Sequence, residues 1–397
     1  MRSRPIVSRR AFLGTSAAGV VSLVAPDVAS AQPAQSSQSA QSAPVFVYVG
    51  TYTRPPSGKA EGIYVFRMDP ATGALRLVQT VPSENPSFLA LDPARQFLYA
   101  VNETNPGEVS AFAVDAASGM LTPLNRQSAS GAAPCHLSVD ASGRWVVIAN
   151  YTSGNFAVLP IEGGGRLGPV ASTVQNSGIG PNAQRQEGPH AHMIGFDPGG
   201  QYVLGVDLGI DRTRVFRLDA AAGRLNPVAA SGGESPLSAA PGAGPRHFAF
   251  HPNGQFVFVI NELSSTLSAF AFDSATGGAT EMQTLSTLPP DFVGQSSTAE
   301  VIVHPNGRFV YGSNRGHDSI AIFAVDEATG RMTARGHEST RGRTPRCFGI
   351  DPTGSFLYAA NQNTDNILAF RIAPDTGRLT PTGQVTTVPT PVCVIFG

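Results

Sequence analysis

Charge is scarce in this chain. Only 14% of its 397 residues are Asp, Glu, Lys or Arg, and they balance to a formal net charge of −1. No basic tract occurs, so nothing points to an electrostatic grip on nucleic acid. Cysteine is nearly missing too. Cys135, Cys347 and Cys393 are the only three, and an odd count is no disulfide framework, which leaves small buried thiols as the simpler reading. Beyond the N-terminal segment no apolar run is long enough to span a membrane. His-x-Glu-x-x-His, Cys-x-x-Cys and calcium-loop patterns are absent, as are a Gly-x-Ser-x-Gly elbow and a phosphate loop. His190-x-His192 offers two ligands, which do not make a metal site. The sequence therefore calls for no metal and no other cofactor.

What is plentiful is glycine and proline, 43 and 32 residues, spread along the chain rather than clustered. That distribution suits many short strands joined by tight turns. The N-terminus stands apart. Ser8-Arg9-Arg10-Ala11-Phe12-Leu13 followed by an apolar stretch to about Ala25 has the form of a twin-arginine export signal. Ala29-Ser30-Ala31 offers a cleavage site. Residues 1–31 are thus read as a signal segment handled by the twin-arginine export machinery, with a periplasmic or secreted product. Residues 32–44, rich in Gln, Ser and Ala, form a flexible lead-in to one domain at 45–397.

That domain is one sequence unit repeated. The unit reads Pro-x-x-φ-x-φ-Asp-Pro-x-Gly-x-Phe-φ-φ-x-φ-Asn, then a loop, then φ-x-φ-Phe-x-φ-Asp-x-x-Thr-Gly-x-Leu, where φ is apolar. Its late glycine recurs at Gly73, Gly119, Gly165, Gly223, Gly277, Gly330 and Gly377. Four alternating apolar runs per unit, here called A to D, match a propeller blade. The fold class is all-β: a seven-bladed β-propeller with four antiparallel strands per blade. The first unit lacks strand A, and Pro391-Val392-Cys393-Val394-Ile395-Phe396 supplies that pattern at the far end. The C-terminal strand should therefore lie innermost in blade 1 and close the ring.

Strand order alone places A-strand starts, B-strand ends and the D-to-A connections on one face. The A-strand starts hold Ser87-Phe88, Cys135-His136, His190-Ala191, Arg246-His247, Ala299-Glu300, Arg346-Cys347 and Val392-Cys393. The B-strand ends add Glu103, Tyr151, Asp207, Glu262 and Arg315. The longest D-to-A connections, 176–188, 232–244 and 286–297, rise on the same side. Polar groups and long loops converging on one mouth make it the expected binding site. His251 and His304 replace a turn Asp and are structural. His337 belongs to a peripheral strand and is expected at the surface. His192 is expected deeper in the channel. Buried Arg246 and Arg346 need anionic partners, either structural carboxylates such as Glu300 or Glu262 or a bound carboxylate, phosphate or developing oxyanion.

Gly244-Pro245-Arg246-His247-Phe248, then His251-Pro252-Asn253-Gly254 and Asn261-Glu262-Leu263, resemble the propeller-type 6-phosphogluconolactonase family. Ser313-Asn314-Arg315-Gly316-His317-Asp318-Ser319-Ile320 and Thr344-Pro345-Arg346 resemble it as well. The resemblance runs from about residue 45 to the end and reaches more distantly to carboxy-muconate cyclases. It implies lactone chemistry on a small-molecule substrate without an obligatory metal. It also implies a site of His136, Arg246, His247, Glu262 and Arg346, with Glu300 and Arg315 as further binding residues, to which the A-strand start adds His190. Glu262, His136 or His247 would accept the proton of an attacking water, and Arg246 and Arg346 would hold the oxyanion. An exported enzyme would meet unphosphorylated aldonolactones rather than a cytoplasmic phosphorylated intermediate. Two other readings are a propeller that only binds a ligand or protein at this mouth, and a lactonising muconate cyclase.

Overall fold

A computed structural model of the chain describes residues 44–228 and 237–397. The expected signal segment and nearly all of the lead-in lie outside the described residues. Among those described, the strands form seven antiparallel sheets, one per sequence unit. In blade 5 the order runs outward from Pro245–Phe250 through Phe256–Asn261 and Thr266–Asp273 to Gly278–Ser286. Blade 4 departs from four strands. A short fifth strand, Leu237–Ser238, pairs with Arg212–Asp219, so the connection leading to blade 5 is partly built into the sheet. Among the described residues no helix is long and apolar enough to cross a membrane.

Blade-to-blade packing explains the repeated residues. All seven late glycines have φ between 62° and 76°, the left-handed region that glycine enters without steric cost. Each also lies under an aromatic ring that opens strand B of the preceding blade. A Cβ at Gly119 would meet the Phe46 ring at 2.4 Å, and one at Gly330 would meet Phe256 at 2.4 Å. The tyrosines of strand B add a hydrogen bond across the same seam. Tyr99 donates to the Gly165 carbonyl and Tyr311 to that of Gly377. Tyr358 donates to Gly73, joining blade 7 to blade 1. His251 and His304 act likewise. Their Nε2 atoms lie 2.9 Å from the carbonyls of Gly307 and Gly354, and each Nδ1 accepts a turn N–H. His337 differs from expectation. It is half-buried, with Nε2 2.8 Å from the Thr287 carbonyl, because the 286–297 connection folds against its strand. The three cysteines are buried and unpaired.

The ring closes as the sequence requires. Pro391–Phe396 is innermost in blade 1 and pairs antiparallel with Val45–Thr51, Val47 opposite Phe396 and Val49 opposite Val394. Val392, Cys393 and Val394 are buried. Deleting residues 391–397 exposes the edge of Val45–Thr51 and opens the channel wall. The truncated chain is expected to lose its cooperative thermal transition. Circular dichroism checks this, and an unchanged melting curve would count against closure by this strand.

Candidate active site

A regular strand points successive side chains to opposite faces. The mouth of this channel is built by breaking that rule. In blades 3, 4, 5, 6 and 7 the A-strand register slips near its start, and the residues passed over are Cys135, His192, Arg246, Ala299 with Glu300, and Arg346. In blade 1 the slip passes over Val392. A β-bulge of this kind leaves one residue unpaired and re-aims its side chain. It lets Arg246 and its neighbour His247 face the same cavity. Ser87, Phe88, Glu103, Cys135, Arg246, His247, Glu300, Arg346 and Val392 line that cavity. It is narrow, with room for an ordered water rather than a sugar ring, so a larger substrate must reach in from the rim.

Glu262 is the electrostatic centre beside it. Its Oε1 lies 2.6 Å from Arg185 Nη2, and its Oε2 lies 2.9 Å from Arg315 Nη2 and 3.0 Å from Arg246 Nε. The Arg246 contact is an ion pair without hydrogen-bond alignment, since that N–H has no acceptor on its axis. Burial alone would raise the Glu262 carboxyl, but Arg315, Arg246 and Arg185 outweigh it and hold its pKa at about 2. Burial lowers Arg315 to about 10 against the pull of Glu262. Burial, with Arg346 nearby, also lowers Arg246. Arg246 Nη1 is anchored on the Ala299 carbonyl at 2.7 Å.

His247 is held from both sides. Its Nδ1 lies 2.9 Å from Glu300 Oε1, and its Nε2 lies 3.3 Å from Arg246 Nη1. The pattern fits a neutral ring that donates to Glu300 and accepts from Arg246. Burial lowers its pKa, with Arg246 adding to the effect and Glu300 opposing it. His136 and His192 pack edge-on to His247, at 5.4 and 5.1 Å between ring centroids. Burial pushes both well below the ordinary histidine range, helped for His136 by His247 and for His192 by Arg246. The Cys135 thiol is pushed up by burial, which leaves it protonated and a poor nucleophile.

Arg346 is the exception among the arginines. Its guanidinium stands over the Tyr52 ring, 5.5 Å from the centroid, and among the described residues it has no ion pair and no hydrogen bond. Burial lowers its pKa, but Tyr52, Glu103 and Glu262 raise it by more. Four guanidiniums, those of Arg185, Arg246, Arg315 and Arg346, face three carboxylates, Glu103, Glu262 and Glu300. With the histidines neutral, the site carries one positive charge in excess.

The structure thus brings together His136, Arg246, His247, Glu262, Glu300, Arg315 and Arg346. His190 stands apart, on the rim. Its ring stacks on Tyr151 at 4.5 Å, with Nδ1 3.2 Å from the Tyr151 carbonyl and Nε2 3.2 Å from Glu187. Sequence reasoning passed over Arg185 and Tyr52. Arg185 lies in an irregular connection with no repeat to mark it. Tyr52 was findable, because it follows strand B of blade 1 just as Glu103, Glu262 and Arg315 follow or end theirs. Among the described residues no group of three or more His, Cys, Asp or Glu is placed to hold a metal ion.

Comparison with known proteins identifies the family and the fold. The family model described as "Lactonase, 7-bladed beta-propeller" matches residues 46–396. The 6-phosphogluconolactonase of Bacillus subtilis (strain 168) is 41% identical over 351 residues, 88% of this chain and 97% of the relative. The 6-phosphogluconolactonase of Formosa agariphila is 33% identical over 77% of this chain and 86% of its own length. The solved structure of the periplasmic gluconolactonase of Pseudomonas aeruginosa superposes with a TM-score of 0.82 at 32% identity, covering 89% of this chain and 99% of that one.

Proposed function

The chain belongs to the seven-bladed β-propeller lactonase family, and on that premise we propose that it hydrolyses an unphosphorylated sugar lactone outside the cytoplasm. Family membership makes the reaction the opening of a lactone ring by water. The observation that carries the finer reading is the division of labour among the arginines. Arg185, Arg246 and Arg315 converge on Glu262. Among the described residues only Arg346 keeps a guanidinium free of ion pairs at the cavity. One free cation suits a single developing oxyanion. It does not match a phosphomonoester, which carries roughly −1.5 to −2 at neutral pH. The twin-arginine pattern at Ser8-Arg9-Arg10 and the periplasmic relative support the location.

In this mechanism the lactone lies across the mouth with its carbonyl reaching down to Arg346. Water adds to the carbonyl carbon, Arg346 holds the oxyanion, and the ring C–O bond breaks. The Glu262 cluster and the Glu300–His247 pair act as walls that fix Arg246 and the imidazole. Neither is well placed to take the water's proton. Both Glu262 oxygens are committed to cations, and His247 Nε2 already faces an Arg246 N–H.

The test is acid release by the full chain from glucono-1,5-lactone and from its 6-phosphate, each corrected for spontaneous opening. Glucono-1,5-lactone should be preferred in kcat/KM by about tenfold or more, the equivalent of roughly 1.4 kcal/mol. Preference for the phosphate would overturn the substrate assignment. No acceleration of either would overturn the lactonase reading.

A further inference from the structure

The proton acceptor left open above has a candidate in the cavity wall. Glu103 follows strand B of blade 2 and lines the same cavity as Arg346. Its backbone is fixed to Asn85 by two hydrogen bonds: Glu103 N–H donates to the Asn85 carbonyl, and Asn85 Nδ2 donates to the Glu103 carbonyl. One carboxylate oxygen, Oε2, accepts from Tyr52 Oη at 2.9 Å and from Ser87 Oγ at 2.5 Å. Among the described residues the other, Oε1, has no hydrogen-bond partner, and no cation lies within ion-pair distance of either. Of the site's three carboxylates, Glu262 is committed to arginines and Glu300 to His247 and the Val301 N–H. Glu300 takes both of its contacts on Oε1, so Glu103 and Glu300 each keep an oxygen, but of the two only Glu103 is joined through Tyr52 to the free cation.

Tyr52 links this carboxylate to the free cation. Its ring lies beneath the Arg346 guanidinium and its hydroxyl donates to Glu103. Burial pushes the Tyr52 phenol up, so it remains a donor. The carboxylate and the guanidinium are therefore held on one frame, both lining a cavity with room for a water. A nucleophile's proton and a carbonyl oxygen need such a pair, a base and a cation, beside one reacting carbon.

We propose that Glu103 is a catalytic residue, the general base whose free Oε1 takes the proton of the attacking water, with Ser87 and Tyr52 as positioning residues. The inference rests on the lactonase reading above. Water oxygen bonds to the carbonyl carbon while its proton passes to Oε1 and the carbonyl electrons move to the oxygen beside Arg346. When the ring C–O bond breaks, Oε1 returns the proton to the departing ring oxygen. The product is the open hydroxy acid, which ionises to solvent.

The experiment follows kcat for the lactone that the wild-type full chain opens fastest, in Glu103→Ala, Glu103→Gln, Ser87→Ala and Ser87→Thr. Both Glu103 variants should fall by about 10²-fold or more, the range for loss of a general base, with the melting temperature kept. Added formate, a small carboxylate able to occupy the space left in Glu103→Ala, should restore part of the rate. Ser87→Ala should lower kcat about tenfold with KM unchanged, as for one lost hydrogen bond to a charged group, and Ser87→Thr should recover it. Wild-type kcat in a folded Glu103 variant, or loss without rescue by formate, overturns the inference alone. If the Glu103 variants do not fold, the Ser87 pair decides: unchanged kcat in Ser87→Ala overturns it. A wild-type chain that opens no lactone overturns the lactonase reading and this inference with it.

Discussion

Replacing Arg346 with methionine is expected to lower kcat for lactone opening by about 10²–10³-fold, the usual loss for one oxyanion donor. The melting temperature should fall only slightly, because Glu103 and Glu262 favour the Arg346 charge from a distance rather than through an ion pair. Arg346 makes no ion pair that its removal would break, and it adds to the crowding of positive charge that depresses Arg246. Methionine keeps the apolar stem over Tyr52 and removes the cation. An effect confined to KM would show that Arg346 binds the ground state rather than the developing charge. Turnover equal to wild type, measured under saturating lactone, would remove it from the mechanism. Lysine at the same place should recover only part of the rate, because its point charge lacks the planar fork.

Replacing Glu262 with glutamine should do the opposite damage, to the fold first. One neutral amide would face Arg185, Arg246 and Arg315, leaving the buried Arg246 and Arg315 guanidiniums without their anion. Breaking a buried pair in this way costs about 3–5 kcal/mol. Activity should fall with it, since Arg246 carries the contact to His247. The pH dependence separates this role from a proton-accepting one. The folded Glu262 carboxyl sits at about 2, below its ordinary 4.5. A depressed carboxylate contributes stability that is fully present above the unfolded value and is lost as pH falls through the folded one. Wild type and Glu262→Gln should therefore differ most above about pH 4.5 and converge toward pH 2. Urea unfolding across that range measures the gap. A constant gap would mean that the arginines do not draw their stabilising effect from the ionised carboxylate.

The blade repeat was legible because its punctuation is chemical. Glycine at the seven late positions, aromatic residues opening strand B and Asp or His at the A–B turn each meet a local demand that recurs around the ring. The missing first A strand and the spare C-terminal one fixed the closure by the same logic. The face that bears the site was legible as well, since antiparallel strand order alone sends A-strand starts and B-strand ends to one side. His251 and His304 could be set aside because they occupy a turn position.

The division of roles inside the mouth was not legible. A period of two says that Arg246 and His247 point apart. The bulges undo this, and a bulge leaves no mark in a sequence whose neighbouring residues are all plausible strand formers. Charge counting could not tell that three arginines, one of them on an irregular connection, would converge on Glu262 and leave Arg346 free. Nor could it show Glu103 tied at one oxygen by Ser87 and Tyr52, since the Tyr52 contact crosses the seam from blade 1 to blade 2. The sequence by itself determined the scaffold, its closure and the face, because those follow from local turn chemistry and strand alternation. Only the tertiary structure decided which charged groups are spent on one another and which remain for a substrate, because that depends on distances between blades far apart in the chain.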